Sequence, residues 1–73
     1  MPHINMKHFP SLSVQQQAAL AEAFTHAVTN IVQCDAGVVS IAFEPIEKES
    51  WHETVYVPEI INRKKWLYKM PNY

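Results

Sequence analysis

This sequence is poor in cysteine, glycine and net charge, and each shortage excludes a class of protein. Cys34 is the only cysteine among 73 residues, so no disulfide can form within the chain. Cys34 and the four histidines show no paired ligand spacing, so no structural metal site is expected. A formal net charge of −1 gives no general basic field for nucleic acid or an anionic membrane. The sequence therefore predicts no metal, no nucleic-acid partner and no membrane partner.

Long apolar runs are missing as well. No run approaches the length of a membrane-spanning helix. The segment from Met1 to Pro10 contains a lysine and two histidines and lacks the apolar stretch of a signal peptide. A lone thiol without an export signal predicts a cytoplasmic protein.

The short length limits the core that one copy can build. The 73 residues allow a single domain, 1–73, and 48% of them are hydrophobic, so the chain is not disordered by composition. Domains of this size are marginal and commonly need a disulfide, a metal or a partner subunit. Because the first two are not expected, the sequence predicts a homo-oligomer.

Two strands and a long helix are predicted in the first two thirds of the chain. Residues 3–9 alternate polar and apolar side chains, as a strand with one buried face does, and Pro10 ends that pattern. Ser13 and Gln16 fit a capping box, and the helix that follows extends to Gln33. Gly37 is expected in a left-handed cap or in the turn into a strand. Residues 38–44 then predict a second strand, apolar enough for burial on both faces.

Strand, helix and strand in this order predict a βαβ unit with parallel strands and a right-handed crossover. A second, short helix is expected to begin at Pro58 and to end before Pro71. The fold class is therefore α+β, built on one βαβ unit with a short carboxy-terminal helix. A two-stranded sheet leaves its edges open, and two copies that pair into a four-stranded sheet would close one of them.

The chain begins Met1-Pro2, and a proline at the amino terminus can act as a base. Removal of Met1, which is usual before a small residue, would leave Pro2 with a free secondary amine. Unlike the amide nitrogen of any other proline, this amine is a base, and the ring fixes its conformation. The dipeptide alone is a weak motif, because many proteins begin this way for no chemical reason.

Several short motifs occur in an order that spans the whole chain. They are the leading Met-Pro-His-Ile, Phe9-Pro10, the Gln-Gln-X-Ala-Ala-Leu start of the helix, Ser-Ile-Ala at residue 40, Glu-Ser-Trp at residue 49 and the Lys-X-Pro-X-Tyr ending at Tyr73. With them the chain resembles the tautomerase superfamily, and within it the 4-oxalocrotonate tautomerase group. The closer likeness is to the dimeric bacterial enzymes described as phenylpyruvate-type tautomerases.

The resemblance implies roles for individual residues. It implies that Pro2 is the catalytic base and that Trp51 and Phe9 line the pocket, with Trp51 helping to keep the amine neutral. Two arginines that bind dicarboxylate substrates in the best-known members fall at Leu12 and Ser40, and both are absent here. This departure favours a more apolar, aromatic monocarboxylate as substrate.

The implied chemistry is a keto–enol tautomerisation without a cofactor. Pro2 would take the hydroxyl proton of an enol acid and return a proton to carbon, giving the keto acid. Ordinary α-amino groups titrate at roughly 7.7–8.0 and a proline amine is more basic, so desolvation against Trp51 and Phe9 must lower its pKa.

The group that binds the substrate carboxylate is left open by the sequence. Ser40 and Arg63, the only arginine, are the substrate-binding residues we expect beside Phe9 and Trp51. The full set of candidates is Lys7, His8, Ser11, Ser40, Arg63 and Lys64.

Other functions and assemblies stay open on the sequence alone. A hydratase or dehalogenase of the same superfamily and a non-catalytic oligomeric binding module are the alternatives to the tautomerase. A dimer is favoured over a hexamer, because the second helix would cover the flank of the sheet.

Overall fold

The computed structural model describes residues 1–73 and contains one parallel two-stranded sheet. Strand β1 (His3–His8) pairs with strand β2 (Ser40–Pro45), with His3 opposite Ser40 and His8 opposite Pro45. Parallel strands need a crossover connection, which the intervening helix supplies. The predicted βαβ unit and the α+β fold class are therefore confirmed.

Helix α1 (Val14–Val28) begins at the predicted capping box. The Ser13 Oγ accepts the Gln16 amide at 3.1 Å, and the Gln16 side-chain oxygen accepts the Ser13 amide at 2.9 Å. These two bonds satisfy amides that the first turn would otherwise leave unpaired. A π-helical turn, Thr29–Gln33, continues the helix to its predicted end at Gln33.

The left-handed residue after α1 is Gln33, with φ 63°, and not Gly37. Gly37 lies in a 3₁₀ turn, Ala36–Val38, where its amide donates to the Asp35 carboxylate at 3.1 Å. A Cβ at Gly37 would lie 2.8 Å from that carboxylate oxygen. The glycine therefore allows a close approach of the Asp35 side chain. It is not a left-handed cap, and it lies in the turn that leads into β2, which is the second of the two predicted positions.

The same turn moves the start of β2 from the predicted Val38 to Ser40. Alternate residues of β2, namely Ser40, Ala42 and Glu44, are exposed on the face opposite α1. A hydrogen bond between His3 and Ser40 and one from the Asn5 amide to the Glu44 carboxylate cross this face between the strands. Within one protomer, one face of β2 is thus exposed and the other is only half-buried at Ile41 and Phe43, in contrast to the predicted burial on both faces.

The second helical region begins ten residues earlier than the predicted Pro58. It consists of a 3₁₀ turn (Lys48–Ser50), a π-helical segment (His52–Ile60) and a 3₁₀ segment (Ile61–Trp66). Trp51, whose backbone is helical, joins the first two of them. Pro58 lies inside the π-helical segment. Because proline cannot donate to a backbone carbonyl, it disrupts a regular α-helical ladder, which accounts for the irregular helical type here.

The apolar contact between α1 and the sheet is only partly covered. Phe24 of α1 stacks on Phe43 of β2 with ring centroids 6.4 Å apart. Only Ile46 and Val55 are buried, and α1 contains no buried residue. Ile31, which belongs to the apolar stripe of the helix, is 82% exposed. One protomer therefore leaves most of its apolar side chains in contact with solvent.

The solvent-accessible surface of the protomer is also larger than that of a compact monomer. The protomer exposes 5756 Å², whereas a globular monomer of 8.4 kDa is expected to expose about 4,600 Å². The excess is comparable to the area of about 800 Å² that one partner buries in a standard interface. The radius of gyration, 13.8 Å, likewise exceeds the value of about 11 Å for a compact domain of this length. None of the helices has both the length and the apolar character needed to cross a bilayer.

Candidate active site

Two aromatic residues meet at the carboxyl end of β1. Pro10 prevents the strand from continuing, and Phe9, which follows the last residue of β1, is 41% exposed. Trp51 joins the first two segments of the second helical region. The two rings pack edge to face, with centroids 5.2 Å apart and an interplanar angle of 88°. The structure thus brings together the pair that the resemblance assigns to the pocket.

The end of the chain completes this aromatic cluster. The Trp51 indole N–H donates to the Tyr73 hydroxyl at 3.0 Å. The Tyr56 hydroxyl donates to the main-chain oxygen of Tyr73 at 3.5 Å, and the two tyrosine rings lie 5.7 Å apart. Tyr73 is therefore held by two side chains of the second helical region and limits how far Trp51 can rotate.

A groove of about 680 Å³ opens between these rings. We call it the aromatic groove, and its lining residues are Phe9, Lys48, Trp51, His52, Tyr56 and Tyr73. His52 stacks on Tyr56 with ring centroids 5.4 Å apart. Apolar rings with one ammonium group suit a flat or apolar ligand that carries one negative charge.

The amino end of β1 has a different, polar character. Pro2 is half-buried, and its carbonyl oxygen accepts the Ser40 amide at 3.1 Å. The Ser40 Oγ lies 2.7 Å from His3 Nδ1. Ser40 is therefore next to Pro2, and its hydroxyl is already engaged by His3.

Pro2 and the aromatic groove lie at opposite ends of β1. At about 3.3 Å per residue, the seven residue steps from Pro2 to Phe9 correspond to roughly 20 Å. No reaction can join groups at that distance within one protomer. Arg63 lies outside the aromatic groove as well, exposed on the last helical segment and next to Lys64.

Comparison with known proteins identifies the family of this chain. No family model matches the chain. The chain is 36% identical over 74 residues to Tautomerase PptA of Cronobacter sakazakii, covering all of this chain and 97% of that protein. It is 38% identical, with the same coverage, to Tautomerase PptA of Escherichia coli strain SMS-3-5. This chain belongs to the 4-oxalocrotonate tautomerase group. It is therefore an isomerase.

A solved structure supports the assignment of this tautomerase at the level of the fold. The crystal structure of TomN, a 4-oxalocrotonate tautomerase homologue in the tomaymycin biosynthetic pathway, superposes with a TM-score of 0.66 at 30% identity. The superposition covers 68% of this chain and 77% of TomN.

Most of the cationic residues that were candidates for binding the substrate carboxylate lie outside the aromatic groove of this tautomerase. Lys7 forms an ion pair with Glu59, and both side chains are partly buried. His8 Nδ1 lies 2.6 Å from the carbonyl oxygen of Phe9, and the His8 ring packs on Phe43. No cluster of three or more histidine, cysteine or acidic side chains is placed to hold a metal ion.

The sequence analysis missed four residues of the aromatic groove. Lys48, His52 and Tyr56 are not singled out by the sequence, and Tyr73 appears there only as part of the Lys-X-Pro-X-Tyr ending. That motif was the available signal, because a tyrosine a few residues beyond the second helix can fold back onto it.

Proposed function

We propose that this tautomerase interconverts the enol and keto forms of a 2-hydroxy-alkenoate such as enol-phenylpyruvate, with the amine of Pro2 as general acid and base. The observation that carries the proposal is the aromatic groove, in which Phe9 and Trp51 meet edge to face beside one lysine. Aromatic walls favour a substrate with a planar apolar group, and a single ammonium group favours one carboxylate.

The active site is completed by a second copy of the chain. In a symmetric dimer that pairs one strand with its own copy, the two strands run antiparallel. The amino end of β1 in one protomer then approaches the carboxyl end of β1 in its partner. Pro2 of one copy thereby reaches the groove that begins at Phe9 of the other. The distance of roughly 20 Å within one chain supports this arrangement.

The assembly we propose is a homodimer in the cytoplasm. Each strand of the two-stranded sheet has an open edge, and one such edge in each copy suffices for a four-stranded sheet. The exposed apolar residues of α1 and the surface excess of the protomer supply the area to be buried. The single cysteine, with no possible disulfide in the chain, fits a reducing compartment.

The proposed reaction is a transfer of one proton between two atoms of the substrate. The neutral amine of Pro2 removes the enol hydroxyl proton, and the electron pair of that O–H bond becomes the carbonyl π bond. The electrons of the C=C bond then take the proton from the Pro2 ammonium at the carbon next to the ketone. The amine is regenerated neutral, so no cofactor is consumed.

This proposal depends on removal of Met1, because Pro2 is an amide while Met1 is attached. The intact mass of the purified protein reports the state of the terminus. We expect the form without Met1 to accelerate the loss of the ultraviolet absorbance of enol-phenylpyruvate.

The matched variants are Pro2→Ala, which keeps a terminal amine, and Pro2→Gln, which retains Met1 because glutamine is not small. We expect Pro2→Gln to lose about 10²–10⁴-fold of the rate, the usual contribution of a general base, and Pro2→Ala to lose less. Full activity in Pro2→Gln would rule out Pro2 as the base. Absence of turnover in the wild type, with ligand still bound, would instead identify a binding module.

A further inference from the structure

We propose that Lys48 is the residue that binds the substrate carboxylate, in place of the two arginines that are missing at Leu12 and Ser40. The inference rests on the proposed function for the identity of the ligand. It concerns the binding of the ligand and not the transfer of the proton. The ligand class is an aromatic monocarboxylate, with its ring against Trp51 and its carboxylate at Lys48.

The position of Lys48 follows from the local fold. Lys48 begins the 3₁₀ turn that directly precedes Trp51, and both residues line the aromatic groove. One helical turn thus presents an ammonium group and an indole ring to the same groove. An anion bound there would contact the cation while its apolar part remains against the rings.

Lys48 is the only lysine or arginine that lines the groove. Its side chain forms no ion pair, since the single ion pair of the protomer joins Lys7 to Glu59. Arg63, Lys64 and Lys65 lie in the last helical segment, outside the groove. The charge of Lys48 is therefore available to a ligand, whereas that of Lys7 is already paired.

The charges around Lys48 also restrict the ligand. Lys48 is the one cation that lines the groove, and no second lysine or arginine lines it. A single ammonium group provides a partner for one carboxylate. A second carboxylate at the apolar end of the ligand would lose its water against the rings without gaining a partner, which gives selectivity against dicarboxylates.

The test is a binding measurement with a ligand that cannot react. Calorimetric titration compares 3-phenylpropanoate with 3-phenylpropanamide, which has the same shape without the charge. The proteins are the wild type, Lys48→Gln, Lys48→Arg and the control Lys65→Gln, whose lysine packs over Trp66 outside the groove. Circular dichroism and thermal melts verify that each variant is folded.

We expect the wild type to bind the acid about ten-fold more tightly than the amide, as one charge-assisted hydrogen bond allows. Lys48→Gln should bind both ligands equally weakly, Lys48→Arg should recover the preference, and Lys65→Gln should match the wild type. Equal affinity of wild type and Lys48→Gln for the acid would overturn the inference. No preference for the acid in the wild type would overturn it as well.

The kinetic arm separates this inference from the proposed function. If the wild type turns over enol-phenylpyruvate and Lys48→Gln raises KM with little change in kcat, both stand. If turnover is normal and KM is unchanged in Lys48→Gln, the inference fails alone. If no enol is turned over but the acid still binds through Lys48, the proposed function fails alone.

Discussion

At its amino end β1 carries polar side chains that bond to the neighbouring strand, whereas at its carboxyl end it leads into an aromatic groove. The amino end holds Pro2 next to Ser40, whose hydroxyl is bonded to His3. The carboxyl end holds Phe9 against Trp51. One end thus carries a candidate base without a pocket, and the other carries a pocket without a base.

The difference between the two ends explains why neither is an active site by itself. A base needs desolvation and a substrate within reach, and a pocket needs a group that moves a proton. In the proposed dimer, antiparallel pairing of two copies would supply both at once and would form two equivalent sites. The same pairing would cover part of the protomer's incomplete core, which has two buried residues.

Mixing of two inactive variants tests this comparison most severely. Pro2→Gln removes the amino-end function, and Trp51→Ala removes the carboxyl-end function. Each variant alone should have little activity. Random mixing in equal amounts should restore about a quarter of the wild-type sites, since half of the dimers are mixed and each of these has one intact site.

The mixed dimers are prepared by refolding the two chains together, and the rate of enol-phenylpyruvate loss is measured. The same chains refolded separately and then combined serve as the control. If the refolded mixture is no more active than the sum of its parts, each site belongs to a single chain.

Loss of the Tyr73 hydroxyl should weaken only the carboxyl end. Tyr73→Phe leaves the Trp51 indole N–H without its partner, which costs about 1 kcal/mol for a hydrogen bond of this kind. We expect KM to rise about five-fold, with kcat nearly unchanged. Steady-state kinetics check this, with Tyr68→Phe as the matched control because Tyr68 is fully exposed. An unchanged KM would show that Tyr73 does not position Trp51.

Weakening of α1 should affect neither end. Ser13→Ala removes the capping hydroxyl and should lower the free energy of unfolding by about 1 kcal/mol. Neither Ser13 nor Gln16 lines the groove, and their hydrogen bonds are to each other, so kcat and KM should stay at wild-type values. Urea denaturation at fixed protein concentration measures the first effect and the kinetic assay the second. A large loss of kcat would mean that α1 takes part in the site.

The elements that could be predicted from the sequence are those determined by local patterns. Alternation in residues 3–9 and the capping box at Ser13 depend on contacts within a few residues, and both are confirmed. The left-handed position at Gln33 could not be predicted, because a π-helical turn and the Asp35 contact changed where the chain reverses. The second helix was expected to begin at Pro58, but Pro58 lies inside a π-helical segment that accommodates a proline.

The residues of the candidate site also divide into those that could be predicted from the sequence and those that could not. Phe9 and Trp51 were predicted from a family motif, and the structure brings them into contact. Lys48 and Tyr73 were not predicted, because their places in the groove depend on how a loop and the end of the chain fold back in three dimensions. Arg63, the only arginine, was expected to bind the substrate. Its position outside the groove does not support that role within one protomer.

The length of β1 also has a consequence for the cell. If about 20 Å of strand keeps base and pocket apart in each chain, an isolated chain is inactive. Below the dissociation constant of the dimer, the number of working sites then grows with the square of the chain concentration. A two-fold change in expression would then change the number of working sites about four-fold, and the abundance of the protein would itself regulate the flux through its reaction.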